Sequence, residues 1–168
     1  MDNIHILCIS DIHFDRSEPE NQGLVLNEFF KDISERMNPY DMSLRYCIIA
    51  GDLVNIGNTK QIYDKFYDSF IKRIIKVIPI EHIICTPGNH DLNRNEIIKT
   101  PDDHAELISF KDKSETEFNE KVTSKDSIVR RKFKAYDDFC NEHMHILNYN
   151  LFGFYNNLLP EISVYCLN

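Results

Sequence analysis

No apolar run in the sequence approaches the roughly 20 residues needed to cross a bilayer; the longest, such as 46–50 (YCIIA), are strand-sized. The N-terminus, Met1-Asp2-Asn3-Ile4, lacks a basic segment followed by an apolar one, so no signal peptide is read there. The expected location is cytoplasmic, with no membrane partner. Positive charge is scarce: 19 Lys and Arg stand against 27 Asp and Glu, a net charge of −8 that repels nucleic acid in bulk. Carboxylates neutralised by bound metal would escape that argument, so a metal-dependent enzyme acting on nucleic acid or nucleotides stays compatible with the charge. No C-x-x-C pair occurs among the five cysteines, Cys8, Cys47, Cys85, Cys140 and Cys166, and their number is odd. That argues against a zinc or disulfide framework, and all five are expected as small core residues in a reducing compartment. There is no G-x-G-x-x-G after the first strand-like run and no G-x-x-x-x-G-K-[ST] anywhere, which argues against dinucleotide and P-loop nucleotide binding. Without an internal repeat or an interdomain linker, 168 residues fit one domain, 1–168.

What is present has a regular order. Three runs, 4–10 (IHILCIS), 46–50 (YCIIA) and 82–86 (HIICT), are short, rich in Ile and Cys and almost continuously apolar. That pattern predicts strands buried on both faces, as in a parallel sheet covered by helices. Between them, Leu24, Leu26, Phe29, Phe30, Ile33 and Met37 predict a helix over 23–37. Ile62, Phe66, Phe70, Ile74 and Val77 predict another over 59–78, with Asn58 or Thr59 as cap and Pro79 just past its end. The order β-α-β-α-β predicts an α/β fold with a parallel sheet. A polar insertion follows at 105–127, then a third helical pattern over 128–147. The segment 148–160 reads as turn-rich, and 162–167 (ISVYCL) as one more strand.

Each early strand runs into polar residues able to bind metal. The first leads into Asp11-Ile12-His13, the second into Gly51-Asp52-Leu53-Val54-Asn55, the third into Gly88-Asn89-His90-Asp91. In a parallel α/β sheet the carboxyl ends of the strands share one edge, so the three loops converge. They bring two Asp, an Asn and two His together, a donor set suited to divalent first-row metals. Asp11 and His13 alternate along an extended segment and can face one ion if the turn bends. Asp52 has two oxygens and can bridge two ions. Gly51 and Gly88 let the backbone pass close to the ions without a Cβ in the way. His90 is a candidate proton or hydrogen-bond donor to phosphate.

The ordered series D-x-H, G-D-x-x-[DN], G-N-H-[DE], each piece after an apolar strand, resembles the signature of calcineurin-like metallophosphoesterases. The resemblance implies the N-terminal, parallel-sheet half of that family's four-layer α/β/β/α sandwich. It also implies a hydrolase of phosphomonoesters or phosphodiesters with a dinuclear site: two divalent ions, Mn²⁺ or Fe, with Zn²⁺ a further option. Asp11, His13 and Asp52 would bind one ion, and Asp52 and Asn89 the second. A metal-bound hydroxide would attack in line while His90 serves the leaving-group oxygen or the phosphoryl charge. The family's later His and G-H-x-H motifs are not found. His143-Met144-His145 has the spacing, but Glu142 precedes it and the segment is helical, so these read as surface or partly packed helix histidines. On this reading the complete domain extends beyond Asn168. The other reading is a degenerate, non-catalytic half-domain used for binding or assembly, with a homodimer through an exposed sheet. Asn55, where some relatives carry Asp, is expected to orient His90 by a hydrogen bond without raising its pKa.

Overall fold

The Ile- and Cys-rich runs form three parallel strands, β1 (His5–Ile9), β2 (Leu44–Ala50) and β3 (Ile83–Thr86), in the order β1-β2-β3. The computed structural model describes residues 4–15, 18–37, 44–96, 105–106, 108–109, 114, 116–117, 120 and 127–144, and the backbone of two strands near the C-terminus. Register sets the faces. Leu7 pairs with Cys47 and Ile9 with Ile49, while Cys47 and Ile49 in turn pair with Ile83 and Cys85. These six side chains belong to one core cluster or pack against it, so one face of the sheet carries the helices.

The expectation of strands buried on both faces fails for β1. Its burial alternates, Ile6 is 38% exposed, and Cys8 is exposed rather than a core thiol. The alternation reflects the two faces: Leu7 and Ile9 pack against the core cluster, while Ile6 and Cys8 lie on the other face, which is exposed at this strand. Cys47, Cys85 and Cys140 are buried as expected; the side chain of Cys166 lies outside the described residues.

Helix α1 (Pro19–Met37) starts four residues before the expected start at 23, because Pro19 is pre-set for the first helical position and Gln22 N–H already donates to the Glu18 carbonyl. Helix α2 (Lys60–Phe66) starts after Thr59, whose side chain makes no cap bond, and runs into a π-helical turn (Tyr67–Ile71) and a short α3 (Lys72–Ile74). The third pattern also divides: α4 (Ile128–Lys132), α5 (Lys134–Phe139) and a second π-helical turn (Cys140–Met144), with Phe133 breaking the helix between α4 and α5. Ser127 accepts from Val129 N–H and caps α4. Within the polar insertion the described residues 105–106, 108–109, 116–117 and 120 are helical.

The helices meet through aromatics. Phe66 stacks on Phe70 with centroids 5.3 Å apart, and Tyr63 stacks on Phe139 at the same distance. These fully buried rings tie α2 to α5 and both to the sheet. The turn-rich reading of 148–160 is corrected: Gly153–Leu159 is a strand, β4, paired antiparallel with β5 (Ile162–Cys166). Cross-strand pairing, which no local composition reports, decides that segment. Among the described residues no helix is long and apolar enough to cross a membrane.

The core thiols are predicted to be chemically silent. Burial pushes the Cys47 thiol up to about 12 and raises Cys140 further still, which leaves little thiolate at neutral pH. Iodoacetamide at pH 8 should label Cys8 in the folded protein and spare Cys47, Cys85 and Cys140, as read by peptide mass spectrometry. Equal labelling of Cys8 and Cys47 would contradict this packing.

Candidate metal centre

The strand-end segments continue the sheet in an irregular way. Asp11 N–H donates to the Gly51 carbonyl (3.2 Å), His13 N–H to Asp52 (2.9 Å) and Phe14 N–H to Leu53 (3.0 Å), ending in a bridge between Phe14 and Val54. Asp11 (φ 55°), His13 (φ 45°), Asp15 (φ 69°) and Asp52 (φ 51°) all adopt left-handed backbone. Asp11 and His13 therefore do not alternate along an extended strand, as expected from their spacing. The left-handed turns bend the segment while its N–H groups stay paired. Such conformations cost about 1–2 kcal/mol per residue, and clusters of them are found at functional sites.

Gly51 and Gly88 allow close approach, but of one loop to the other. Gly51 has φ +83°, and a Cβ there would lie 3.3 Å from Gly88 Cα. A Cβ on Gly88 would fall 2.2 Å from Asp52 Oδ1 and 2.5 Å from Asp52 N. The two loops cross at this pair, and the side chain of Asp52 occupies the space that a larger residue at 88 would need.

At this edge the structure brings together His13, Asp52 and His90, with the exposed Asp11 beside His13. His13 Nε2 lies 3.9 Å from both Asp11 Oδ1 and Asp52 Oδ2. One donor atom each from His13, Asp52 and His90 fall within 4.8 Å of one another. The two rings meet edge-on with centroids 4.5 Å apart. Asp52 Oδ1 accepts from His90 N–H at 2.8 Å, which leaves Oδ2 toward His13. Asn89 is solvent-exposed, and its place at this edge follows from the turn closed by Asp91 N–H on the Gly88 carbonyl.

Two observations fit a cation here. Donors sharing an ion at about 2.1 Å stand roughly 3–4.2 Å apart, which matches the His13 spacings. The His13 ring, moreover, has a buried Nδ1 with no partner among the described residues, so hydrogen bonding there does not account for its orientation toward two carboxylates.

His90 is oriented differently from the expectation. Its Nδ1–H donates to the backbone carbonyl of Asn55 at 2.8 Å, not to that residue's side chain. A carbonyl only accepts, so Nδ1 carries the proton and Nε2 is the free nitrogen. Asn or Asp at position 55 would serve this contact equally.

A second group, Asp64, Glu142 and His143, also brings three donors within 4.8 Å. Here Lys60 Nζ sits 2.8 Å from Asp64 and 2.9 Å from Glu142, in the place a cation would take. Lys60 beside it, with help from His143, holds the Asp64 carboxyl below the usual range. His143 Nε2 lies 3.0 Å from Asp64, with its ring stacked on Tyr67 at 4.2 Å. It is a partly packed helix histidine, as its sequence context indicated; His145 lies outside the described residues.

The crossing predicts a sharp contrast between two glycines. Gly88→Ala should remove or shift Asp52 and weaken divalent-metal binding by an order of magnitude or more. Gly23→Ala, on α1 with nothing within 4 Å, should leave metal binding alone and stabilise the fold by about 0.5–1 kcal/mol. Calorimetric titration with Mn²⁺ and thermal melting of both variants check this. Unchanged Mn²⁺ affinity in a folded Gly88→Ala protein would refute the crowding argument.

No curated protein and no solved structure matches the chain significantly. The family model for calcineurin-like phosphoesterases matches residues 4–161, which include all three strand-end loops. The α/β fold, the parallel sheet and this match agree, and the chain belongs to the calcineurin-like phosphoesterase family.

Proposed function

We propose that the chain hydrolyses phosphomonoesters or phosphodiesters through a dinuclear metal site at the carboxyl edge of its parallel sheet. The observation that carries the proposal is the convergence of Asp11, Asp52 and His13, with His13 Nε2 3.9 Å from each carboxylate, at the crossing of the loops. In this reading Asp11, His13 and Asp52 hold one divalent ion, and Asp52 with Asn89 holds the second. The mixed O and N donors suit Mn²⁺ or Fe, and Zn²⁺ as well. When bound, the ions polarise phosphoryl oxygens and activate water for in-line attack.

The chain's own residues do the rest. The backbone contact from His90 N–H fixes one oxygen of Asp52 and so aims the other. The Asn55 carbonyl fixes the proton of His90 on Nδ1, leaving Nε2 to accept a proton and then deliver it to the leaving-group oxygen. A cavity of about 530 Å³ opens beside Asp11 and His13, with Val25, Leu26, Phe29 and Phe70 among its walls. It offers apolar space for the alcohol portion of an ester, which favours an aryl ester as the probe.

Hydrolysis of bis(p-nitrophenyl) phosphate with Mn²⁺ should be detectable for the parent chain and should fall at least 100-fold in Asp52→Asn, which removes a charged ligand. Mn²⁺ stoichiometry is measured on the same samples. Two bound ions with turnover support the dinuclear enzyme. One ion or none, without turnover, favours instead the non-catalytic binding module.

A further inference from the structure

Asp91 ends the third motif but is not placed among the ligands, and its side chain does something different. It is fully buried, at 0% exposure, and forms no ion pair with a cation among the described residues. Four donors converge on it instead. Oδ2 accepts from the N–H groups of Leu53 (3.1 Å) and Gly88 (2.8 Å), and Oδ1 accepts from Val54 N–H (3.3 Å) and the Tyr63 hydroxyl (2.9 Å).

Where those donors sit is the point. Leu53 N–H belongs to the peptide that follows Asp52, so holding it fixes the left-handed turn of Asp52 itself. Gly88 N–H belongs to the peptide that leads into Asn89 and His90. Tyr63 is on α2, buried and stacked on Phe139, so it ties the assembly to the rigid part of the molecule. The main chain of Asp91 is pinned at the same place: Gly57 N–H donates to the His90 carbonyl at 2.8 Å, and a Cβ on Gly57 would lie 2.2 Å from Asp91 O.

We propose that Asp91 is the positioning residue of the centre, a carboxylate clamp that sets Asp52 against Asn89 and His90 by binding the backbone of both loops. The proposal rests on the metal reading for its functional meaning. Only an acceptor without hydrogens suits the site, because all three backbone partners can donate and not accept. An amide in its place must turn its NH₂ toward one pair of donors. The Val54–Tyr63 side is the tolerable choice, since a hydroxyl can accept. Asp91→Asn therefore keeps part of the clamp, and Asp91→Ala keeps none.

The test uses the full chain with Asp91→Asn, Asp91→Ala and Tyr63→Phe, read by amide hydrogen exchange without metal and by Mn²⁺ titration. Exchange should accelerate in segments 51–55 and 87–91 together, most in Asp91→Ala and least in Tyr63→Phe. Mn²⁺ affinity should fall by about tenfold or more in Asp91→Ala, with Asp91→Asn between it and the parent, as for other residues that orient ligands. Acceleration confined to one loop, or Mn²⁺ affinity within twofold of the parent in a folded Asp91→Ala, would overturn the clamp. Should the Asp91 variants not fold, Tyr63→Phe decides: unaltered exchange in both segments refutes the proposal. A parent chain that binds no Mn²⁺ overturns the metal reading instead, and the exchange comparison still decides whether Asp91 joins the loops.

Discussion

Two loops that leave neighbouring parallel strands must pass each other at the sheet edge, and here they do so almost in backbone contact. Gly51 and Gly88 are the contact, with no room at 88 for a single added carbon beside Asp52. Because the loops touch, a carboxylate on one can receive hydrogen bonds from the other: Asp52 takes His90 N–H, and Asp91 takes Leu53 and Val54 N–H. These reciprocal bonds saturate buried polar groups without spending the atoms that face the open edge. Asp52 shows the division most clearly, with one oxygen tied to backbone and the other left toward His13.

That arrangement accounts for the strained backbone. Four non-glycine residues at left-handed φ would be an unstable way to end two strands in isolation. They persist because the N–H groups of Asp11, His13 and Phe14 remain paired with the 51–53 carbonyls, so bending the segment leaves none of those three donors unsatisfied. Three of the four strained residues are Asp and the fourth is His, types that tolerate this region better than most. The strain and the ligand chemistry thus select the same side chains. The aromatic core below, from Tyr63 through Phe139 and Phe66 to Phe70, supplies the rigidity against which the loops are held.

The sequence made the strands, their parallel order and the three polar loops legible because all of these are periodicity or motif signals. It could not show that position 55 acts through its carbonyl, since a backbone contact leaves no trace in residue identity. Asp91 is visible only as a motif letter; its role comes from joining Gly88, three residues away, to donors 28 to 38 residues away in the chain. The exposure of Cys8 depends on what covers its face of the sheet, and β4 depends on a partner strand, neither of which is a local property. The π-helical turns leave no separate signal in the sequence, because a slightly wider turn hardly disturbs an apolar stripe.

Two clusters among the described residues combine carboxylates with histidine, and they differ in how their charge is balanced. At Asp64, Glu142 and His143 the Lys60 ammonium already lies within hydrogen-bonding distance of both carboxylates, so their charge is balanced by the protein. At Asp11 and Asp52 the only basic side chain in contact, among the described residues, is His13, a ring with one nitrogen facing both carboxylates and the other buried without a partner. Neither carboxylate has a Lys or Arg partner among the described residues. A divalent cation at the proposed site would balance that charge. Donor count alone therefore does not distinguish the clusters. The difference lies in whether the fold brought its own cation.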